Sequence, residues 1–302
     1  MAFNSKTLAA FIKTSLTGPV QKEAHWLATR LVKEFQGQAL AVLYYGSCLR
    51  TGKVEGLILD FYVIVEDYNK AYGKRALALA NKILPPNVFY FEADKDKQTV
   101  RAKVAVISLD DFRKRTAAGC LNVSLWARFS QPARLILCRD KKTEDELVLA
   151  VTEAHKTMVA AALPLLEGKP SPENLWPKAL SLTYGAELRS EQEGKGTKLF
   201  EANKKYCQAV TPLVLAALEG NPKQTRSQAK RAWSKRRLNG KTVSLLRLAK
   251  AAFTFSGGID YLVWKIERSS GVKVTLKPWQ RRHPFVAGAL LFFQLRRRGA
   301  FR

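Results

Sequence analysis

Tyr45-Gly46-Ser47 closes one apolar run, and the next, Leu57 to Val65, carries a single acid, Asp60. A Gly-Ser turn after a buried strand lets backbone N–H groups and a hydroxyl approach a phosphate, because glycine has no side chain in the way. An acid on the neighbouring strand can hold Mg²⁺, which neutralises polyphosphate charge and orients an attack. Such an acid usually has a partner two residues on, as D-x-D; here Asp60-Phe61-Tyr62 puts tyrosine there. A second metal ligand could come from Glu66 or Asp67 at the strand end, or from Glu92 or Asp94 on the next strand. A plain β-hairpin with one outward carboxylate would show the same residues.

Further cations could serve the same chemistry. Lys103, just after Arg101 at the head of a strand-like run, can meet a triphosphate as a point charge, or it can be a solvated strand end. Arg189 near a helix end can fork to a phosphate, with Glu187 orienting it; the alternative is a surface arrangement that never converges. His25, His155 and His283 fall in different segments, which argues against a metal cluster or an acid–base pair. Cys48, Cys120, Cys138 and Cys207 are far apart with no CxxC pair, so reduced, buried thiols are expected rather than disulfides or zinc.

Charge is the strongest global signal. The 302 residues carry a net +26, and residues 223–302 hold 20 Lys and Arg against only Asp260 and Glu267, a net +18. Such a field faces polyanions, either nucleic acid or an anionic membrane. Its densest run, Lys230 to Arg247, includes Lys235, Arg236 and Arg237 around Trp233, and tryptophan favours the headgroup region. Lys250, Lys265 and the closing Arg296, Arg297 and Arg298 extend it. PFVAGALLFFQL (Pro284 to Leu295) is too short to span a bilayer but suits an interfacial helix or one buried in the core, whereas an RNA site has little use for it. The start of the chain lacks a signal-peptide core with a cleavage site, and a mitochondrial presequence is only weakly indicated.

The elements that must position these residues follow from periodicity. A helix is expected over Val20–Phe35, strands over Ala39–Tyr45, Leu57–Val65, Val88–Glu92 and Lys103–Ser108, and a helix over Lys74–Ile83 stopped by Pro85-Pro86. From about Arg113 the pattern turns helical, with helices over Glu144–Leu166, Leu175–Glu187, Leu199–Leu218 and Val243–Glu267. Boundaries fall near residues 140 and 225, giving segments 1–140, 141–225 (helical, with a winged-helix-like form as one option) and 226–302.

Four blocks in order, YGS, LDFYVIVED, LPPNVFYFE and RAKVAVISLDDF, resemble the mitochondrial translocator assembly and maintenance family of CTP:phosphatidate cytidylyltransferases. LSLTYGAELR (Leu180 to Arg189) is similar to that family's L-S-Y-x-G-D-x-R segment, and Ser244 to Ile266 to its basic C-terminal segment. The family's W-H-x-x-N segment is absent, and Glu187 stands where the family has aspartate. The resemblance implies a bacterial member with an α+β architecture: a nucleotidyltransferase-fold mixed sheet with helical cover, a mostly helical domain, and a basic amphipathic C-terminal region. It implies Mg-dependent synthesis of CDP-diacylglycerol from CTP and phosphatidate, with Tyr45, Gly46, Ser47, Lys103 and Arg189 on the nucleotide and Asp60 on the metal. It further implies a cytoplasmic protein, peripheral on the inner membrane, for which nucleic acid is not the expected partner. A nucleotidyltransferase acting on RNA ends and an inactive module that binds anionic surfaces remain as alternatives.

Overall fold

The computed structural model describes residues 2–96, 98–187, 194–220, 224–254 and 277–282. Five strands, β1 (Ala39–Tyr45), β2 (Ile58–Val65), β3 (Asn87–Lys95), β4 (Gln98–Ser108) and β5 (Arg134–Cys138), form one mixed sheet in the order β3-β4-β2-β1-β5. Only β2 and β4 pair in parallel; the other three pairings are antiparallel. The architecture is α+β, as expected. The expected first two strands start within a residue of the observed ones, but β4 begins five residues before Lys103, which therefore sits mid-strand rather than at its head.

Alternation sorts the central strands onto two faces. Val42, Tyr44, Phe61, Val63, Val104 and Val106 pack with α2 (Lys22–Leu31) and two short helices, α4 (Tyr68–Tyr72) and α5 (Arg75–Ile83). Leu43, Tyr45, Tyr62, Ile64, Ala105 and Ile107 face the larger cluster. That cluster is covered by α1 (Ala2–Leu16), α7 (Ser124–Phe129), α8 (Lys141–Ala162), α9 (Pro172–Tyr184) and α11 (Lys204–Ala217). One apolar core thus joins the sheet to the helices that follow it. Among the described residues, no helix is long and apolar enough to cross a membrane.

The helix expected over Leu199–Leu218 is two, α10 (Lys195–Ala202) and α11, because Asn203 turns its amide back onto Leu199 O at 2.9 Å and leaves the helical conformation. Gly196 brings α10 against α9: a Cβ there would meet Ser181 Oγ, and Pro177 O at 2.5 Å. The long α12 (Arg226–Thr254) begins well before its expected start. It buries Ala229, Trp233, Arg236 and Gly240, a 4-3-4 spacing that puts all four on one face. Two short helices, α3 (Ser47–Thr51) and α6 (Leu109–Thr116), follow β1 and β4.

Two expectations about the basic region are corrected here. Trp233 does not seek a headgroup layer; it is 1% exposed and its indole N–H donates to Ala161 O at 2.8 Å. Arg236, expected to face lipid, is 9% exposed and lies over the rings of Trp126 and Trp233 at 5.2 and 5.4 Å. A guanidinium desolvated against an indole gains about 2 kcal/mol from the contact, which offsets the burial that disfavours its charge. Lys235 and Arg237 point outward. Lys265, Arg296, Arg297, Arg298 and the run 284–295 lie outside the described residues.

Candidate functional site

Register brings the chemistry together. Tyr45 on β1 pairs with Asp60 on β2, Asp60 with Lys103 on β4, and Lys103 with Tyr90 on β3, a single row across four strands. Asp60 is on the same face as Tyr62 and Ile64, so it points toward the helical layer rather than out to solvent, and its side chain is 22% exposed. The chain then leaves β1 through Gly46 at φ 92°, in the region that favours glycine. A Cβ at this position would lie 2.5 Å from Asp60 Oδ2. Glycine is required here for both backbone and space.

Lys103 Nζ meets Asp60 Oδ1 at 2.8 Å, with 33% of the lysine side chain exposed. Burial opposes the ammonium's charge, but the Asp60 carboxylate, through its charge and a direct hydrogen bond, holds the lysine above its ordinary range. Burial in turn raises the Tyr45 phenol above its usual value, so it stays neutral at any physiological pH.

The opposite wall comes from α7 and the end of α9. Arg128 donates to Ser124 O at 2.6 Å and to Glu187 Oε1 at 3.1 Å; the same carboxylate oxygen accepts from Ser124 Oγ at 2.5 Å. Burial works against the Arg128 charge, but Glu187 and neighbouring tyrosines more than compensate, so the guanidinium is held well above its ordinary range. Lys195 reaches over the Tyr184 ring at 4.9 Å. Together Tyr45, Gly46, Ser47, Asp60, Lys103, Arg128, Tyr184, Glu187 and Lys195 line a cavity of about 200 Å³, with Arg50, Ala127, Gln131 and Leu199 completing the wall. Four cations, Arg50, Lys103, Arg128 and Lys195, therefore face two carboxylates, Asp60 and Glu187. This geometry suits a ligand with several negative charges.

The candidate second acids do not converge. Glu66 is at the other end of β2, roughly 20 Å from Asp60 at the usual rise per strand residue, and pairs with Arg139. Asp67 caps α4, accepting from Lys70 N at 3.0 Å. Glu92 is two strands over from Asp60 and two residues along, about 12 Å by strand spacing, and is engaged by Tyr90 OH at 2.5 Å and by Arg101 at 3.4 Å. Asp94, at the β3–β4 turn, accepts from Thr99 Oγ1 at 2.7 Å. These acids serve local structure because strand period and register carry them away from Asp60.

No group of three His, Cys, Asp or Glu able to hold a metal exists among the described residues. Magnesium commonly takes one or two carboxylates and completes its shell with substrate phosphates and waters. Asp60, with Lys103 on one oxygen and the other turned toward Gly46, fits a magnesium ion that arrives with a polyphosphate; it does not fit an all-protein cage.

Arg189, which Glu187 was expected to orient, lies outside the described residues; Glu187 holds Arg128 and Ser124. Arg50, Arg128, Gln131 and Lys195 were not anticipated. Arg128 alone carried a signal, a cation set between buried Ala127 and Phe129 in one helical turn. Lys250, expected to touch lipid, faces inward and donates to Leu84 O and to Pro86 O at 2.8 Å. The expected buried thiols hold for Cys48 and Cys207; Cys138 is exposed, and none of the four is in a disulfide. Compared with protein-family models and with curated proteins, the chain matches none.

Proposed function

We propose that the protein is a nucleotidyltransferase of nucleotidyltransferase fold, converting CTP and phosphatidate to CDP-diacylglycerol and pyrophosphate at a membrane surface. The observation that carries this reading is the convergence of four cations on Asp60 around a glycine that leaves room for a phosphate. The choice of CTP and phosphatidate comes from the sequence resemblance.

In this reading a phosphate oxygen of phosphatidate attacks the α-phosphorus of CTP. The new P–O bond forms as the bond to the bridging oxygen breaks, and pyrophosphate leaves with that electron pair. Lys103 and Arg128, both held charged, neutralise the triphosphate and the departing pyrophosphate. Gly46 and Ser47 admit the phosphates against the backbone, and Asp60 would hold magnesium together with the substrate oxygens. Bound there, the metal supplies further charge neutralisation. No protein nucleophile is required, because positioning and electrostatics carry most of such a transfer. The outward face of α12, with Lys230, Arg231, Lys235, Arg237 and Lys241, supports docking on anionic lipid at the cytoplasmic face of a membrane.

The test is conversion of phosphatidate by the purified chain with Mg²⁺ and each of the four nucleoside triphosphates in turn. CTP-dependent formation of CDP-diacylglycerol is expected, and Asp60→Asn should lower it at least a hundredfold with unchanged vesicle binding. Consumption of nucleotide only with RNA ends, or no consumption with lipid present, would overturn the reading.

A further inference from the structure

Beside the cavity lies a second concentration of positive charge, built by α6, α7, α12 and the Pro85–Pro86 turn. Arg247 on α12 donates to Ser124 Oγ at 3.3 Å and to Pro85 O at 2.6 Å. Lys250, one turn on, caps Leu84 O and Pro86 O. Arg115, at the end of α6, acts electrostatically on both Arg247 and Lys250. Arg128 and the Tyr62 phenol complete the surroundings of Arg247. Four cations thus gather here, and Glu187, the carboxylate that acts on Arg247, already serves Arg128 and Ser124.

Two buried donors in this cluster, Arg115 Nε and Arg247 Nε, have no hydrogen-bond partner. Buried polar groups are almost always paired, and an unpaired one at a cluster of like charge calls for a ligand that pairs it. Ser124 links the cluster to the cavity, since its hydroxyl bridges Arg247 to the Glu187 that holds Arg128.

We propose that Arg115, Arg247 and Lys250 form a second anion subsite that takes a phosphomonoester, the phosphate of the acceptor, next to the polyphosphate cavity. The proposal rests on the nucleotidyltransferase reading for the identity of the acceptor, though not for the binding itself. A phosphomonoester brings nearly two negative charges and three acceptor oxygens, which match a forked guanidinium and an ammonium better than a diester does. The titration of the cluster agrees: burial, then Arg128 and Arg115, bring Arg247 down to about 10, and burial, then Arg247 and Arg115, bring Lys250 down to about 7. A bound dianion would relieve that repulsion.

Isothermal titration of the full chain, without nucleotide, tests this with short-chain phosphatidate below its micelle concentration, inorganic phosphate and short-chain phosphatidylcholine. Phosphatidate should bind and the phosphatidylcholine diester should not. Arg115→Gln, which removes a side chain with no hydrogen bond of its own, and Arg247→Ala should each weaken binding at least tenfold, with Arg247→Lys recovering part of it. Equal binding of inorganic phosphate would assign the affinity to the phosphate group alone, and tighter binding of phosphatidate to the lipid monoester; both support the subsite. In steady-state transfer the same variants should raise KM for phosphatidate at least tenfold and leave KM for CTP within twofold. If the wild type binds phosphatidate but transfers nothing, the subsite stands and the enzymatic reading falls. Unchanged phosphatidate affinity in Arg115→Gln, with an unchanged melting temperature, would overturn the subsite.

Discussion

Gly46 is the position where one added methyl group would do most. Its φ of 92° is strained for any other residue, and a Cβ would press on Asp60 Oδ2 at 2.5 Å. Gly46→Ala is therefore expected to cost about 1–3 kcal/mol of stability and to displace the carboxylate, lowering nucleotidyl transfer at least a hundredfold. Urea melts and single-turnover transfer measure the two effects separately; a variant with wild-type transfer would remove Asp60 from the site. The pairing of a Gly-Ser turn with an acid on the next strand was legible in the sequence, because Gly46 and Asp60 sit close in the chain; the face the acid shares was not, since β2 is apolar on both sides. The second acid was not legible. Glu66, Asp67, Glu92 and Asp94 looked equivalent on paper, and only register and local capping show that each is already engaged elsewhere. Nor was Arg128, since its approach to Lys103 and Glu187 depends on how α7 and α9 pack against the sheet.

At the scale of elements, the first four strands and α2, α5, α8 and α9 were readable from periodicity, while α1, α3, α4, α6, α7, β5 and the first half of α12 were missed. These are short or weakly patterned segments whose placement depends on the shared core rather than on their own spacing. The burial of Trp233 and Arg236 was hidden for a related reason. A basic run reads as a solvated face until the helix partner that covers it is known, and here Trp126 and Ala161 supply that cover. α8 carries a different signature of its packing. His155 is fully buried, with its ring nitrogens on Val151 O at 2.8 Å and Tyr206 OH at 2.9 Å, and burial lowers its pKa to about 4. The unfolded chain takes up that proton near pH 6.5, so below 6.5 the unfolded state binds more protons than the folded one. The contribution of neutral His155 is thus fully present above pH 6.5 and is lost as pH falls toward 4, amounting to about 3 kcal/mol. Urea unfolding at pH 7.5 and 4.5 should show that difference, and His155→Phe should shrink it; an unchanged pH slope in the variant would assign the acid sensitivity to other groups.

The charge of the whole molecule decides where this site can work. With a net +26, the chain is drawn to any polyanionic surface, so attraction alone does not distinguish a bilayer from RNA. The outward face of α12 makes the distinction sharper. Residues 226–254 contain no acid, and the exposed cations Lys230, Arg231, Lys235, Arg237 and Lys241 share that face with Leu238, 72% exposed, and Leu246, 52% exposed. Exposed leucines among cations gain from entering a headgroup layer, whereas bases stack on aromatic rings, and none is exposed on that face among the described residues. Each cation near an anionic leaflet contributes about 1 kcal/mol, so replacing all five by alanine should weaken binding to phosphatidate-containing vesicles by up to roughly four-thousandfold. The same binding should fall steeply between 0.1 and 0.5 M salt, roughly, as the screening length drops below the distance to the headgroups. Leu238→Asp with Leu246→Asp adds repulsion and removes insertion, and should release the protein at low salt, where wild type floats with the vesicles. Because all seven side chains point away from the core, melting temperatures should stay within about 3 °C of wild type. Flotation that persists in the five-alanine variant would place the membrane contact elsewhere on the chain, and tighter salt-sensitive binding to RNA than to vesicles would favour a nucleic-acid acceptor for the same cationic cavity.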